Sequence, residues 1–192
     1  MQLEQQRKHA PTRIEVSPRL EQGDPRGRSV ATQITGFLDM PVKNVFTRSV
    51  YTLFVECSAD EAREIAQSFT NPVIQSGQVG ETVPPVEFGW LIIVGFRPGV
   101  TDNIARSART AIGDILGRAL AEDEHVYTSV EYFLQSPSLA REQVQHIASD
   151  LLANELIQTT VVMQAADYLH EGAPVNCPAV QVDAEPIVRT ID

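Results

Sequence analysis

The strongest constraint on this chain is that much of it is written twice. Arg28-Ser29-Val30-Ala31-Thr32-Gln33-Ile34 aligns with Arg106-Ser107-Ala108-Arg109-Thr110-Ala111-Ile112 at an offset of 78 residues, and Asp24 with Asp102 and Leu38 with Leu116 keep that offset. Asn71-Pro72-Val73-Ile74-Gln75 aligns with Asn154-Glu155-Leu156-Ile157-Gln158 at an offset of 83. Between these blocks two alignments compete. Val50-Tyr51-Thr52 is identical to Val126-Tyr127-Thr128 at 76, which demands a deletion followed by a larger insertion. Val45-Phe46-Thr47 against the same segment gives 81, lets the spacing grow in one direction only, and is preferred. Ordered blocks at a nearly constant offset identify a tandem duplication, and a repeat decides the fold before any local feature does.

Each copy carries the same run of periodicities. Ile14 and Val16 alternate with polar neighbours, as in a half-buried strand. Asp24-Pro25 supplies an N-cap and a first helical residue, and Val30, Ile34, Phe37 and Leu38 follow at helical spacing. Val42 to Glu56 is rich in β-branched and aromatic residues and is long enough for two strands turning near Thr47 to Ser49. Ser58 and Glu61 form a capping box, Ala62, Ile65, Ala66 and Phe69 give the next helix its buried face, and Pro72 ends it before a strand at Val73 to Val79. In the second copy Leu91 to Phe96 is a nearly unbroken apolar strand, a pattern suited to burial on both faces. Ile104, Ala108, Ala111, Ile112, Ile115 and Leu116 mark a helix opening at Thr101 or Asp102. Val126 to Gln135 is strand-like, Leu139, Val144, Ile147, Ala148, Leu151 and Leu152 mark a second helix, and Ile157 to Met163 a last strand.

The expected fold class is therefore α+β: two tandem ferredoxin-like (βαββαβ) units in a pseudo-two-fold pair, with an extended C-terminal tail. The expected boundaries are a disordered N-terminus at 1–11, one unit at 12–79, a linker at 80–88 around Pro84-Pro85, the second unit at 89–163, and the tail at 164–192. A single unit of this size buries little core, so two copies are expected to cover each other.

Composition narrows the function. A net charge of −10 argues against a nucleic-acid partner, since phosphate binding needs a basic face. No apolar run approaches a membrane span, and Met1 to Thr12 lacks the apolar core of a signal peptide. Two cysteines, Cys57 and Cys177, make neither a disulfide framework nor a zinc pattern, so the chain reads as a reduced, cytoplasmic protein. There is no phosphate-cradling loop, dinucleotide fingerprint, zinc-protease helix or nucleophile elbow. His9, His125, His146 and His170 are scattered, Cys57 reads as a small buried apolar residue, and Glu122-Asp123-Glu124 reads as a solvated loop. No catalytic or metal-ligating residue is assigned, and no cofactor is expected in this chain.

One segment invites a functional reading. Arg97-Pro98-Gly99-Val100-Thr101-Asp102-Asn103 joins a buried strand to a helix start. In the simplest account Gly99 makes a turn and Asp102 caps the helix. In the functional one Arg97 and Arg106 flank a polar loop able to hold an anionic group or a partner's carboxylates. The candidate contact set is Arg97, Gly99, Thr101, Asp102, Asn103, Arg106, His125, Tyr127 and Thr128.

Phe96 to Asn103, Val126-Tyr127-Thr128-Ser129 and Ala148 to Gln158, taken together, resemble the PurS family, the small subunit of phosphoribosylformylglycinamidine synthase, and the matching N-terminal domain of the single-chain enzyme. Asp24-Pro25-Arg26-Gly27 resembles the family's Asp-Pro-x-Gly helix start, and Asn71-Pro72-Val73-Ile74 its Asn-Pro-x-Ile segment. The likeness runs from Thr12 to Met163 and is closer in the second copy, because the first has Arg19-Leu20-Glu21-Gln22-Gly23 in place of the family's Lys-Pro-Gly turn. The resemblance implies a non-catalytic part of a purine-biosynthesis ligase, partnered by synthetase and glutaminase components. ATP, magnesium and glutamine would be used by the complex. Whether the tandem pairs with itself again is left open. The alternative, from another class, is a regulatory module holding a small molecule between two ferredoxin-like units.

Overall fold

The computed structural model describes residues 11–80, 83–136 and 138–174. In chain order they form β1 (Thr12–Pro18), α1 (Pro25–Phe37), β2 (Asn44–Phe54), α2 (Ala59–Ser68), β3 (Gln75–Val79), β4 (Trp90–Phe96), α3 (Asn103–Leu116), β5 (His125–Gln135), α4 (Arg141–Ile147), β6 (Gln158–Gln164) and α5 (Ala165–Glu171). A 3-10 turn at Leu20–Gln22 precedes α1, and α4 closes in a π-helical turn at Ala148–Leu152. The fold is mixed α+β. All six strands belong to one antiparallel sheet in the order β3-β1-β2-β5-β4-β6.

Two expectations are corrected by the strands. Val42 to Glu56 does not turn near Thr47; it forms one eleven-residue strand, and β5 is likewise a single eleven-residue strand. Each half is therefore β-α-β-α-β rather than βαββαβ. The reason lies outside the half. β2 and β5 pair with each other along their full length, from Asn44 opposite Gln135 to Phe54 opposite His125. A strand whose every residue has a cross-strand partner gains nothing by folding back on itself.

The register carries the duplication. Ile14 faces Tyr51 in one half and Ile92 faces Tyr132 in the other, shifted by 78 and 81 residues. Ile14 also faces Val79, and Ile92 faces Val162, shifted by 78 and 83. The offset of 81 preferred for the middle strand is the one the pairing follows. At the seam Ser49 faces Val130, which is its own counterpart, so a pseudo-two-fold axis passes between them.

α1 to α4 cover one face of the sheet, and each of its two cores draws on both halves. Val30 and Ile34 of α1 pack with Trp90, Ile92, Val94 and Leu134 and with Val144 and Ile147 of α4. Ala105, Ala108 and Ile112 of α3 pack with Ile14, Val16 and Leu53 and with Ile65 and Ala66 of α2. The first helix of each half thus completes the core of the other. Gly27 sits where α1 meets β2, and a Cβ there would lie 2.0 Å from the carbonyl oxygen of Val45, so only glycine permits the approach. Phe37, expected on the buried stripe of α1, is 81% exposed.

The opposite face holds a third cluster, Phe46, Leu91, Ile93, Phe133 and Tyr168, joined by Val86 and Phe88 of the linker. Beside it lies a buried ionic group. Arg48 bonds Glu131 (Nε to Oε2, 2.7 Å) and Glu15 (Nη1 to Oε2, 2.7 Å), and Arg13 bonds Glu15 at 2.6 Å and Glu131 at 2.5 Å. Two cations and two anions cancel, which is the condition for burying them. At the related positions the other half carries Leu91, Ile93, Ser129 and Val50, so this group breaks the symmetry of the sheet.

The tail also departs from expectation. The sequence predicts an extended run from Gln164 onward, yet Ala165–Glu171 is helical. The readings placed on residues 1–10 and 175–192, Cys177 included, lie outside the described residues. Cys57 is partly exposed rather than buried. Among the described residues no helix is long and apolar enough to cross a membrane.

Candidate functional site

The loop after β4 is built by the requirements of a strand-to-helix turn. Gly99 has φ of 79°, a left-handed conformation that suits glycine, and the amide of Val100 donates to the carbonyl of Arg97 at 3.2 Å. Asp102 caps α3, accepting from the Ala105 amide at 2.9 Å. Its second oxygen takes the Thr128 hydroxyl at 2.6 Å and the Thr128 amide at 3.2 Å. One carboxylate therefore fixes both the start of the helix and its position on β5. The first half repeats the device with Asp24, Gly27 and Thr47, where the distances are 2.8 Å to the Gly27 amide and 2.5 and 2.8 Å to the Thr47 amide and hydroxyl.

Seven of the nine candidate residues line one cavity of about 400 Å³: Arg97, Gly99, Asp102, Arg106, His125, Tyr127 and Thr128. Thr101 and Asn103 are exposed and do not line it. The walls also include Phe96 and Val126, which belong to the family-like blocks but not to the candidate contact set, and Arg109, which is outside that set as well. A signal for Arg109 was available, since its counterpart in the first copy is Ala31.

The three arginines play different parts. Arg97 is anchored by its backbone amide to the Ile157 carbonyl at 2.9 Å and by Nε to the Gln158 carbonyl at 3.1 Å. Arg109 is committed to the loop below it, donating to the carbonyls of Leu120 (3.0 Å), Ala121 (2.7 Å) and Glu124. The exposed guanidinium of Arg106 has no hydrogen-bond partner among the described residues. His125 stands at the start of β5 with its ring 6.1 Å from that of Tyr127, which meets Phe54 edge-on at 6.0 Å. The site thus offers a cation, a partly used second one, an imidazole and an aromatic ring around a turn stapled by Asp102. It can hold an anionic or carboxylate-bearing group.

Glu124, expected in a solvated acidic run, is instead buried. It accepts from Arg118 at 2.7 and 2.8 Å, from the Ala121 amide at 2.8 Å and from the Glu56 amide at 2.9 Å. The Arg118 bond is the largest of the effects that hold its carboxyl down at about 2. Glu122 and Asp123 remain exposed.

The turns beside the loops also match between the halves. Ile74 accepts from the Arg19 amide and Ile157 from the Arg97 amide, each at 2.9 Å. Both turns leave an apolar pair in solvent: Val73 and Ile74 in one, Leu156 and Ile157 in the other. The first loop differs by its 3-10 turn, so the two corners share a frame but not a surface.

Among the described residues no group of three His, Cys, Asp or Glu is placed to hold a metal ion. No protein-family model matches this chain, and no curated protein matches it in sequence.

Proposed function

We propose that this chain is a non-catalytic accessory module of phosphoribosylformylglycinamidine synthase in de novo purine biosynthesis. In this reading it bridges the synthetase and glutaminase components in the cytoplasm and helps form the synthetase cleft and the ammonia route. ATP, magnesium and glutamine are handled by those partners. The observation that carries the reading is the seam. Two related halves meet through an antiparallel strand pair centred on Ser49 and Val130, as two copies of a subunit meet in an isologous dimer. A small-subunit dimer made covalent would have this form. Each half is then a ferredoxin-like unit lacking one strand, whose place is taken by the long strand of the other half.

The family-like blocks support the same reading by their location. Phe96 to Asn103 and Val126 to Thr128 converge on the cavity, and Ile157 lies against Arg97. The test is reconstitution with synthetase and glutaminase, in which glutamine-dependent amidine formation requires this chain. A second reading, a regulatory module for a small anionic ligand, is favoured by Arg106, which has no hydrogen-bond partner among the described residues, beside a cavity of about 400 Å³. Calorimetry of the isolated chain against purine nucleotides and amino acids separates the two, because tight binding without partners belongs to the regulatory module.

A further inference from the structure

The two outermost strands of the sheet, β3 and β6, are each paired on one side only among the described residues. Along β3 the Gly80 amide donates to the Arg13 carbonyl at 3.0 Å, and the Arg19 amide donates to the Ile74 carbonyl at 2.9 Å. Backbone groups alternate in direction along an antiparallel strand. Ser76 and Gln78 therefore turn theirs toward β1, while Gly77 and Val79 turn theirs outward. β6 is arranged alike: the Arg97 amide donates to the Ile157 carbonyl at 2.9 Å, so Thr160 and Val162 point outward.

The second half guards its edge. Arg141, the first residue of α4, donates from Nη1 to the outward Val162 carbonyl at 3.3 Å, with its guanidinium 5.7 Å from the centre of the Trp90 ring. The first half has the same frame without the guard. Val79 is the counterpart of Val162, and the helix caps match: Glu61 accepts from the Ser58 amide at 2.7 Å and Gln143 from the Ala140 amide at 2.9 Å. The counterpart of Arg141 is thus Ala59, the first residue of α2. A methyl group stands in for the guanidinium, and a groove of about 700 Å³ lies between α2 and the edge. Ala59, Arg63, Ala66 and Thr70 wall it on the helix side, with Gly77 and Val79 along the strand. β3 itself carries no charge and no proline, two of the devices that keep other strands off an edge.

We infer that the groove between α2 and β3 is a docking site for an extended, acidic peptide segment of a partner, which adds a seventh strand to the sheet. Two observations define this occupant. The outward amides and carbonyls of Gly77 and Val79 have no partner among the described residues, and an extended backbone supplies both complements at the spacing of the strand. Alternate side chains of that backbone turn toward α2, where Ala59 and Ala66 leave room and Arg63 is the one charged residue of the lining. Arg63 engages Asp60 through Nη1 alone, and a guanidinium has five N–H donors, so it keeps donors for an incoming carboxylate.

Selection of a random peptide display library on the full chain, followed by fluorescence anisotropy with the enriched peptides, tests this. Enriched sequences are expected to carry Asp or Glu among apolar residues at alternate positions. Ala59→Arg installs the guard of the other half at an exposed position, and it is expected to weaken binding by at least about tenfold with the thermal melt unchanged. Arg63→Glu is expected to weaken the acidic peptides by about tenfold, the size of one hydrogen bond to a charged group, and to favour versions with Lys in place of the acid. Methylating alternate backbone nitrogens of a peptide should abolish binding for the set that faces β3 and spare it for the other set. No acidic enrichment, binding that survives Ala59→Arg, or equal loss from both methylated sets would overturn the inference. A dimer of the chain in sedimentation velocity that Ala59→Arg dissociates would overturn it too, by assigning the edge to a second copy.

Discussion

Ser49 and Val130 face each other across the seam of the sheet, and each is the counterpart of the other in the duplication. Everything around them is arranged in pairs: Asp24 with Asp102, Thr47 with Thr128, the turn at Asn71 with the turn at Asn154. The departures from that pairing lie at Arg48, Arg109 and α5.

The first consequence concerns the halves apart. α3 completes the core over β1 and β2, and α1 the core over β4 and β5. A fragment of residues 11–80 is expected to lack a cooperative thermal transition, and mixing it with a fragment of residues 83–174 should restore one. Circular dichroism melts of each fragment and of the mixture measure this. A cooperative melt from either fragment alone would contradict the shared cores.

Arg48→Met removes the centre of the buried ionic group. Arg13 is then the one cation shared by Glu15 and Glu131, with Gln78 Nε2 still donating to Glu15 at 2.6 Å, and a broken buried pair typically costs about 3–5 kcal/mol. Urea unfolding reads the loss directly. A change below about 1 kcal/mol would show that Arg13 compensates fully.

These charges also show what the sequence could and could not disclose. The caps were legible, because Asp24-Pro25 and Ser58 to Glu61 act within one helical turn, and both form as expected. The offsets were legible because residue numbers alone carry them, and seven candidate residues do gather at one cavity. Arg48 and Glu131 were not, since a charged residue alternating with apolar ones reads as a solvent-facing position. Their burial depends on a strand 83 residues away and on a helix at the end of the described chain. The single long strands were hidden for the same reason, as their partners are non-local. α5 is too short for a helical period to emerge.

The two N-cap aspartates should differ in cost. Asp24 is 6% exposed and holds Thr47 as well as Gly27, whereas Asp102 is more open. Asp24→Ala is expected to cost about 3 kcal/mol and Asp102→Ala about 1–2 kcal/mol. Equal losses in denaturant titrations would mean that burial does not add to the capping contribution.

Glu124 gives an acid limb to the stability. Its carboxyl is held at about 2 in the folded chain, below its ordinary value of 4.5. A depressed carboxylate contributes stability above its unfolded value, and the contribution fades as pH falls from about 4.5 through about 2. Unfolding at pH 7, 4 and 2.5 should show the decline in the wild type and a flatter profile in Glu124→Gln. Parallel profiles would assign the acid limb to other carboxylates.

The candidate contacts should act on assembly rather than on folding. Arg97→Ala and Arg106→Ala remove exposed cations at the cavity, and surface substitutions of this kind stay within about 0.5 kcal/mol in stability. Tyr127→Ala removes a partly buried ring. Each is expected to weaken complex formation with synthetase by about tenfold, the size of one charge-assisted or aromatic contact. Unchanged binding in all three would remove the cavity from the interface.

The central claim is tested most directly by glutamine-dependent amidine formation with synthetase and glutaminase, measured with and without this chain. The account predicts turnover only when the chain is present, and none from the chain alone. Equal turnover in its absence would contradict the account.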